Sequence, residues 1–485
     1  MTAAVRPGTP TGGPTPGAVR LGSHPMSGLG PDVEVPSYDV RALRPGIVHL
    51  GTGAFHRAHQ AVYLHDLAQG GVSDRWGVVG SSLRSNTTVR RLARQDGLYS
   101  VTEVGNESRS VRVVGVLRDQ VDAVADPQAL VRRMAHVDTQ VVTLTITAPA
   151  YAAAVPTPQG TPAPAPVDAF DLVVEALARR RATGRGPFTV MSCDNLPDNG
   201  RAARACVLAV AEARDPRLAA WIEQHVTFPS TMVDRITPPS DAEHAAWLRR
   251  RHGLVDAAPV VCESFRQWVV EDSFCAERPP LDAVGVQMVA DARPFVAMKT
   301  SLLNASHVAL GFLGGRAGHG TTADAMRDQV LAATVSRMMR LEVVPLLDDV
   351  PGVDLDAYVA DLLGRFANQE LADPLERLRG RGSVRVLNYL APPLRRAVHA
   401  GAPRAVLTDA LAAWIDTLAH DADAPEVATD PAASTLVPFA RGAAHDVRPF
   451  LVAAGLEDLA AVPTFVASVQ RRLATGEDQA RAAAS

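Results

Sequence analysis

The chain has 485 residues, of which 47% are hydrophobic and 21% charged, and its formal net charge at pH 7 is −4. These values are ordinary for a globular protein and exclude a fibrous or wholly disordered chain. Sustained runs of Lys and Arg are missing, which disfavours nucleic acid as a partner. The cysteines form no CxxC pair, which disfavours a structural zinc site or a disulfide framework. Without a signal-peptide core or a long uncharged apolar run, the sequence predicts a cytoplasmic protein with no membrane partner.

Two stretches have compositions that disfavour packed structure. Residues 1–40 begin with a segment rich in proline, glycine and threonine, and we expect them to form a disordered tail because they have little apolar surface to bury. Residues 152–167 read AAAVPTPQGTPAPAPV, which predicts a flexible surface loop. Regular structure is expected to begin at about residue 46.

Apolar runs alternate with helical patterns over the first 290 residues. Strands are predicted at 46–50, 76–83, 111–117, 141–147 and 188–193. Such alternation is typical of a doubly wound, mostly parallel sheet covered by helices on both faces. From residue 291 onward helical segments rich in Ala, Leu and Arg dominate. We therefore predict an α/β fold, with a Rossmann-type dinucleotide-binding domain over 41–290 and a mostly α-helical substrate and catalytic domain over 291–485.

The turn Gly51-Thr-Gly53 follows the first predicted strand and precedes a helical pattern. Two glycines at this place allow a tight turn and a close approach to a pyrophosphate. The third glycine of the fingerprint is replaced by His56, so an ordinary βα turn is the alternative. The strand-turn-helix context favours cofactor binding. Phe55, His56 and Arg57 are then candidates either to contact the cofactor or to hold the turn.

A metal site is disfavoured at this turn. His56 and His59 have helical spacing, and Asp66 is a possible third ligand, but no HExxH pattern accompanies them.

The end of the second strand bears on the choice of cofactor. An acidic residue there binds the ribose hydroxyls of NAD in many Rossmann folds. Here the sequence reads Leu-Arg-Ser-Asn-Thr, without a carboxylate. Arg84 could meet the 2′-phosphate of NADP, and Asn86 could hydrogen-bond a hydroxyl. Both cofactors therefore stay open.

The segment MKTSLLNASH brings an amine, an amide and an imidazole together. At ~100° per residue, Asn304 lies ~140° and His307 ~80° round a helix from Lys299. Apolar neighbours remove hydration from the lysine, which penalises its charged form and favours its use as a base. The alternative is that Lys299 reaches solvent while Asn304 and His307 make buried hydrogen bonds.

Two further candidates follow predicted strands. Asn195 stands at the carboxyl edge of the sheet, where it either polarises a substrate oxygen or caps the helix that begins near Asp198. Asp234 either orients a substrate or pairs internally with Arg235, and the internal ion pair is favoured.

Taken together, these motifs resemble the polyol-specific long-chain dehydrogenases, the family of mannitol 2-dehydrogenase and the fructuronate and tagaturonate reductases. The match runs in order through GIVHLGTGAFHRAHQAVYLHDLA, FTVMSCDNLPDNG, VTFPSTMVDRITPP and MKTSLLNASH, over roughly residues 46–400. The ordered combination of SCDN, VDRI and KxxxxNxxH is far more specific than any single motif.

The resemblance implies an expanded Rossmann domain followed by a helical domain, without a metal. It implies NAD as cofactor, with NADP possible, and interconversion of a sugar alcohol or aldonate with its ketose or keto-uronate. We expect a monomer or a small homo-oligomer. The implied roles are general base for Lys299, oxygen binding for Asn195 and Asn304, orientation of hydroxyls for His307, and substrate contact for Asp234 and Arg396.

The chain also departs from the family. Glutamates often stand where this sequence has Ala148 and Val296, and we infer, as a hypothesis, that substrate scope or pH dependence is altered. The competing hypothesis is a catalytically silent nucleotide-binding or regulatory homologue. The presence of Lys299, Asn195, Asn304 and His307 together speaks against it. For a carboxylate-bearing substrate, Arg396 and its neighbour Arg395 are candidate cations.

Overall fold

The computed structural model describes residues 18–22, 26–106, 108–154, 168–422 and 424–484. The chain divides into two compact units, unit 1 (Met1–Ala292) and unit 2 (Arg293–Ser485). Most of the loop predicted over 152–167 lies outside the described residues, as do residues 1–17 and 23–25 of the predicted tail. No helix in the described ranges is both long enough and apolar enough to cross a bilayer.

Unit 1 is built around a five-stranded parallel sheet. The strands of this unit are β1 (Val19–Arg20), β2 (Val33–Glu34), β3 (Ile47–Leu50), β4 (Val78–Ser82), β5 (Tyr99–Val104), β6 (Arg109–Val114), β7 (Leu117–Asp122), β8 (Val141–Leu144), β9 (Thr189–Ser192), β10 (Thr231–Asp234), β11 (Leu254–Val255), β12 (Val260–Glu263), β13 (Gln267–Glu271) and β14 (Gln287–Val289). The parallel sheet has the order β7-β4-β3-β8-β9. The strand order reverses between β3 and β8, and ligands of such sheets bind at the carboxyl ends of the strands at that point.

Helices cover one face of this sheet, and helices together with strand β5 cover the other. The helices of unit 1 are α1 (Ala54–Ala58), α2 (Gln60–Gln69), α3 (Thr87–Ala93), α4 (Pro127–Met134), α5 (Ala148–Ala154), α6 (Ala169–Ala182), α7 (Asn199–Arg214), α8 (Pro216–His225) and α9 (Ala242–His252), with a 3-10 turn at Met26–Gly28 and another at Leu281–Val284. Because side chains alternate along a strand, Val48 packs into one core with α4, α6, α7 and α8. Ile47 packs into the other with α2 and β5.

Three smaller sheets complete unit 1: β12-β5-β6-β2, β10-β13-β14 and β1-β11. The apolar run at 111–117, predicted as one strand, is divided between β6 and β7, which belong to different sheets. The chain changes sheet at Gly115, where a Cβ atom would lie 2.5 Å from Cγ1 of Val40.

The prediction of a disordered tail is wrong for the part of residues 1–40 that the structure describes. β1 pairs with β11 and β2 pairs with β6, both in parallel. Leu21 and Val33 are buried, and the Leu21 amide donates to the Val255 carbonyl at 3.1 Å. Composition underestimates how ordered such a segment is. Strand pairing satisfies its backbone groups, so that a few buried apolar side chains are enough to order it.

Unit 2 is helical, and its described residues contain no strand. Its helices are α10 (Arg293–Lys299), α11 (Ala305–Ala309), α12 (Thr322–Arg327), α13 (Gln329–Arg337), α14 (Leu355–Phe366), α15 (Leu375–Arg379), α16 (Gly382–Arg385), α17 (Ala391–His399), α18 (Ala405–His420), α19 (Pro425–Ala428), α20 (Ala433–Ala440), α21 (Arg448–Ala453), α22 (Glu457–Ala460) and α23 (Pro463–Ala484), with a 3-10 turn at Val344–Leu346. Most of α18 is buried, and it packs against helical segments from several parts of the unit.

Unit 2 contains π-helical turns at Thr300–Asn304, Leu310–Gly314, Met338–Val343 and Val386–Leu390. Such i→i+5 turns are rare and frequently occur at functional sites. The turn at Val386–Leu390 has a local cause, because Pro392 and Pro393 have no amide hydrogens to donate to the carbonyls of Asn388 and Tyr389. The first two turns interrupt one continuous helical stretch over residues 293–314.

Candidate active site

The Gly51–Gly53 turn lies at the carboxyl end of β3, where the strand order of the sheet reverses. Gly51 has a φ of +100°, and a Cβ atom there would lie 2.2 Å from the carbonyl oxygen of Thr145, so only glycine fits. A Cβ on Gly53 would have only the Gly51 carbonyl oxygen, at 3.7 Å, within 4 Å among the described residues. The backbone of this turn therefore leaves room for the close approach of a pyrophosphate.

His56 and Arg57 both face the interior of unit 1. The His56 ring stacks on His49 with ring centres 3.5 Å apart, and burial holds its pKa well below the ordinary value. Arg57 Nε donates to the Gly53 carbonyl at 3.2 Å, and Nη1 donates to the Ala258 carbonyl. These contacts favour holding the turn from inside, the second of the two roles predicted for this pair.

Phe55 is also a packing residue. Its half-buried ring stacks on His59 with ring centres 5.1 Å apart, and it joins the apolar core that contains α2. His59 Nε2 hydrogen-bonds the Gln267 carbonyl at 2.8 Å. Among the predicted cofactor residues near β3, the two glycines thus expose backbone groups to a ligand. The side chains of Phe55, His56 and Arg57 pack behind the turn and support it.

Arg84 and Asn86 follow β4, the neighbour of β3. Arg84 is exposed, and its Nη2 donates to Thr147 Oγ1 at 3.4 Å. Thr147 follows β8 on the other side of β3, so this contact crosses the end of the strand that carries the glycine turn. The carboxylate of Asp122 ends β7 and is engaged by Arg90 at 3.1 Å.

Asp194 is a buried carboxylate that residue-by-residue prediction missed. It accepts hydrogen bonds from the amides of Ile146 at 3.2 Å and Thr147 at 2.7 Å, and from Tyr151 Oη at 2.7 Å. Burial raises its pKa. Asp194 thereby fixes the segment after β8, in which Thr147 has a φ of +71°. Its place directly before Asn195 in the SCDN motif was the available signal.

Asn195 is exposed at the carboxyl end of β9. Helix α7 begins at Asn199 with Asp198 as its N-cap residue. Asn195 is therefore not the cap of this helix, which was the structural alternative.

The favoured ion pair between Asp234 and Arg235 is wrong. Both residues are buried, but Arg235 Nη2 pairs with Glu103 of β5 at 2.7 Å, and Nε donates to the Glu263 carbonyl at 2.9 Å. Adjacent residues of an extended chain point to opposite faces, which separates the two side chains. Asp234 ends β10, at the edge of its sheet.

In unit 2, a π-turn changes the spacing of the MKTSLLNASH residues. Lys299 ends α10, the π-turn Thr300–Asn304 follows, and His307 lies in α11. In a regular α-helix Asn304 would lie ~140° from Lys299. An i→i+5 turn contains more residues than an α-helical turn, so each residue rotates less about the helix axis and Asn304 comes nearer to the line of Lys299.

These three side chains are buried, and two of them have polar atoms that the protein leaves unsatisfied. Asn304 Nδ2 and His307 Nε2 have no hydrogen-bond partner among the described residues. Such atoms are rare in folded proteins, because an unmet buried donor or acceptor costs about 1–3 kcal/mol. A ligand with hydroxyl or carbonyl oxygens would satisfy both atoms.

Burial and neighbouring charges lower the pKa of His307, so that its imidazole is neutral at pH 7. Its ring lies against Phe366 with ring centres 4.8 Å apart. Burial, together with the charges of Arg377, Arg365 and Arg385, lowers its pKa to about 3, although Asp373 opposes the shift. A neutral imidazole both donates and accepts hydrogen bonds, which suits the orientation of a substrate hydroxyl.

Arg377 and Arg385 were not predicted. Arg377 Nε donates to Asp373 at 2.6 Å, and this contact raises the pKa of Arg377. Arg385 Nε donates to the Gly380 carbonyl at 3.0 Å, and within the described ranges Arg385 forms no ion pair. Burial lowers its pKa. The arginine-rich text RLRGRGSVR resembles a solvated helix face, so only its position beside His307 reveals a candidate anion site.

The two neighbouring arginines of α17 have different partners. Arg395 Nε binds Asp458 at 2.8 Å, and its Nη2 donates to the Gly455 carbonyl at 2.8 Å. Arg396 Nη2 donates to Ser301 Oγ at 2.6 Å, in the π-turn that follows Lys299. Arg395 is thus a structural residue, and Arg396 contacts the helical stretch that contains Lys299.

Comparison with known proteins assigns the chain to a family. The model of the mannitol dehydrogenase Rossmann domain matches residues 45–283, and that of the mannitol dehydrogenase C-terminal domain matches residues 291–475. The chain belongs to the mannitol dehydrogenase family. The predicted family and the predicted fold class, a Rossmann domain followed by a mostly helical domain, are confirmed.

Relatives in this family are named as oxidoreductases. The chain is 38% identical over 409 residues to a polyol:NADP oxidoreductase of Gluconobacter oxydans, covering 81% of this chain and 84% of that protein. It is 37% identical over 395 residues to a D-mannonate oxidoreductase of Escherichia coli, covering 78% of this chain and 81% of that protein. The predicted class of enzyme, an oxidoreductase, is confirmed, and the catalytically silent alternative is not favoured.

A solved structure matches nearly the whole chain. It is the ternary complex of Pseudomonas fluorescens mannitol 2-dehydrogenase with NAD and D-mannitol, with a TM-score of 0.85 and 36% identity. The match covers 95% of this chain and 97% of the other. The mannitol dehydrogenase family thus accounts for both units of the chain.

Proposed function

We propose that this chain is a metal-independent, NAD-dependent dehydrogenase that interconverts a sugar alcohol or an aldonate with the corresponding ketose or keto-uronate. One observation carries the proposal. Lys299, Asn304 and His307 are buried on one helical stretch, where Asn304 Nδ2 and His307 Nε2 have no partner among the described residues. A buried amine and an unsatisfied donor amide on one helical stretch match what alcohol oxidation requires, a proton acceptor and a donor to the reacting oxygen.

The residues of unit 2 have distinct roles in this proposal. NAD accepts the hydride when bound. Lys299 Nζ takes the proton from the reacting hydroxyl in oxidation and returns it in ketone reduction. Asn304 Nδ2 donates to the oxygen as negative charge develops on it, and neutral His307 holds a neighbouring hydroxyl through Nε2.

Two residues of unit 1 complete the set that the resemblance implies. Asn195 is proposed as a second donor to the reacting oxygen, and Asp234 as an acceptor from a substrate hydroxyl. Asn195→Ala tests the first role, and we expect a fall mainly in kcat. Asp234→Asn tests the second, and we expect a rise mainly in the KM of the sugar.

The Gly51–Gly53 turn fits the pyrophosphate of NAD, because its backbone is open on the side of Gly53 and no side chain fills the space there among the described residues. Arg84 and Asn86 offer hydrogen-bond donors after β4, where the NAD-type carboxylate is missing. We therefore propose that NADP is accepted as well as NAD, with Arg84 on the 2′-phosphate.

Binding of nucleotide fragments tests this choice of cofactor. By calorimetry, 2′,5′-ADP should bind more tightly than 5′-AMP, and Arg84→Ala should remove that advantage. Arg91→Ala is the matched control, because Arg91 is an exposed arginine on the nearby helix α3. Equal affinities of the two fragments for the wild-type protein would contradict acceptance through Arg84.

The substrate class remains a pair of alternatives that Arg385 can separate. A partly buried guanidinium without an ion-pair partner in the described ranges, acting on His307, suits the carboxylate of an aldonate. A steady-state panel of mannitol, fructose, mannonate and fructuronate with both cofactors tests the function. If Arg385→Met lowers the turnover of mannonate and fructuronate but not that of mannitol and fructose, the substrate is an aldonate or its keto-uronate. Cofactor binding without turnover of any of these compounds would contradict the proposed function.

A further inference from the structure

The π-turn Thr300–Asn304 has no local cause in the sequence. Its residues are TSLLN, without glycine or proline, and prolines do not follow it as they follow Val386–Leu390. An isolated segment of this kind is expected to form the regular i→i+4 turn. Contacts with segments distant in sequence must therefore stabilise the wider turn.

One polar contact reaches the π-turn from another helix. Arg396 Nη2 of α17 donates to Ser301 Oγ at 2.6 Å, and Ser301 is 1% exposed. The segment Val386–Leu390, which leads directly into α17, packs against Thr300–Asn304. The helix that bears Arg396 is thus anchored beside the turn, and the hydrogen bond is partly buried.

We propose that Arg396 is a positioning residue that holds the π-turn Thr300–Asn304 through Ser301, and thereby keeps Lys299 and Asn304 in register for proton transfer. The arginine acts through the helix and not on the substrate, which replaces the substrate contact that the resemblance implied. The kinetic part of this inference rests on the proposed function, whereas the structural part does not.

The consequence of losing this contact follows from helix geometry. If the turn returns to α-helical spacing, Asn304 rotates away from the line of Lys299 toward the ~140° offset of a regular helix. The base and the oxyanion donor then no longer meet the same oxygen. A misplacement of this kind lowers kcat strongly, whereas binding of the sugar and of the cofactor changes little.

Four single variants and one double variant test the proposal kinetically. Arg396→Met and Ser301→Ala should each lower kcat about tenfold or more with little change in KM. The double variant should be no slower than the slower single variant, because both changes remove one contact. Ser301→Thr keeps the hydroxyl and should retain most of kcat. Arg395→Met is the matched control, and its kcat should equal that of the wild type.

A structural readout separates this inference from the proposed function. Hydrogen exchange of the amides in residues 300–305 should be faster in Arg396→Met and Ser301→Ala than in the wild type and Arg395→Met. This measurement needs no substrate, so it decides the role of Arg396 even if the panel of sugars gives no turnover. Melting curves show whether each variant is folded, and Ser301→Ala provides the mild change if Arg396→Met is not.

Two results would overturn the proposal. A raised KM in Arg396→Met with an unaffected Ser301→Ala would show that the arginine contacts the substrate directly. Unchanged exchange in both variants would show that the π-turn is held without this hydrogen bond.

Discussion

The glycine turn of unit 1 and the π-turn Thr300–Asn304 of unit 2 acquire their conformations in different ways. Gly51 has a positive φ and touches the Thr145 carbonyl so closely that no side chain fits, and this requirement lies in one residue. The turn Thr300–Asn304 has no residue of that kind, and its contact with Arg396 comes from a helix far along the chain. A backbone site can thus be fixed locally, whereas a site made of side chains on an irregular helix depends on tertiary packing.

Buried polar groups in the two regions are of two kinds. In unit 1, Arg57 and Arg235 donate to carbonyl groups and carboxylates of the same unit. In unit 2, Asn304 and His307 keep polar atoms without partners among the described residues. Groups of the first kind stabilise the fold. The second kind also occurs at the glycine turn, where Thr52 Oγ1 and His56 Nδ1 have no partner among the described residues, so both regions keep polar atoms that a bound ligand can satisfy.

The largest expected effect is that of removing the base. Lys299→Met should lower kcat for alcohol oxidation by roughly 10³-fold, because a positioned base contributes about 10²–10⁴ to the rate. Affinity for NADH, followed by its fluorescence, should stay unchanged, since the glycine turn belongs to unit 1. Full activity of this variant would contradict the assignment of Lys299.

Asn304→Ala should lower kcat by about 10²-fold or more, the usual cost of losing one donor to a developing oxyanion. Its melting temperature should stay close to that of the wild type, because Nδ2 makes no hydrogen bond within the described residues. A strongly destabilised variant with normal kcat would mean that Asn304 is a structural residue, unlike the open backbone of the glycine turn.

The glycines of the turn give a matched pair. Gly51→Ala should destabilise unit 1 by about 1–3 kcal/mol, because the new Cβ would meet the Thr145 carbonyl at a positive φ. Gly53→Ala should leave stability unchanged and weaken NADH binding about tenfold, since its Cβ would enter open space near the cofactor. Denaturant unfolding and NADH titration measure the two effects. Equal stability of both variants would show that the turn is not fixed locally.

The smallest expected effect is the contribution of each buried histidine to the pH dependence of the free energy of unfolding. Burial lowers the pKa of His49 and His59 to about 3, and that of His65 to about 4. The unfolded chain, with a histidine pKa of about 6.5, binds more protons than the folded one. Stability is therefore complete above about pH 6.5 and should fall below it by up to about 1.4 kcal/mol per histidine and pH unit.

Denaturant unfolding between pH 7.5 and 5 measures this slope. His65→Gln should make it shallower, whereas His420→Gln, at an exposed position, should not. A free energy of unfolding that does not change over this range would contradict the neutral state of these three histidines, which all lie in unit 1.

The sequence was informative wherever a feature depends on residues close together. The parallel strands, the glycine turn and the change to a helical second unit followed from local periodicity and composition. The family followed from the order of SCDN, VDRI and KxxxxNxxH. The ion pair of Arg235 with Glu103 could not be predicted, because it joins a residue that follows β10 to strand β5 of another sheet.

The rest of the site depends on packing between distant segments. Residues 26–40 have few apolar side chains, but their pairing with the existing strand β6 orders Val33. The π-turn between Lys299 and Asn304 leaves no signature in TSLLN, so regular helix arithmetic gave the wrong offset. Arg385 could be recognised only beside His307, since the chain separates them by a long stretch.

The π-turns also have a consequence for the length of the chain. An i→i+5 turn contains one residue more than an i→i+4 turn, so the stretch 293–314, with two such turns, is longer by two residues than a regular helix between the same neighbours. Deleting one residue from Thr300–Asn304 would restore a regular turn and leave the following helix in place, whereas a deletion within α18 would rotate everything after it by ~100°. Insertion of one residue into a regular helix is therefore enough to convert an i→i+4 turn into the i→i+5 turn that separates Lys299 from Asn304.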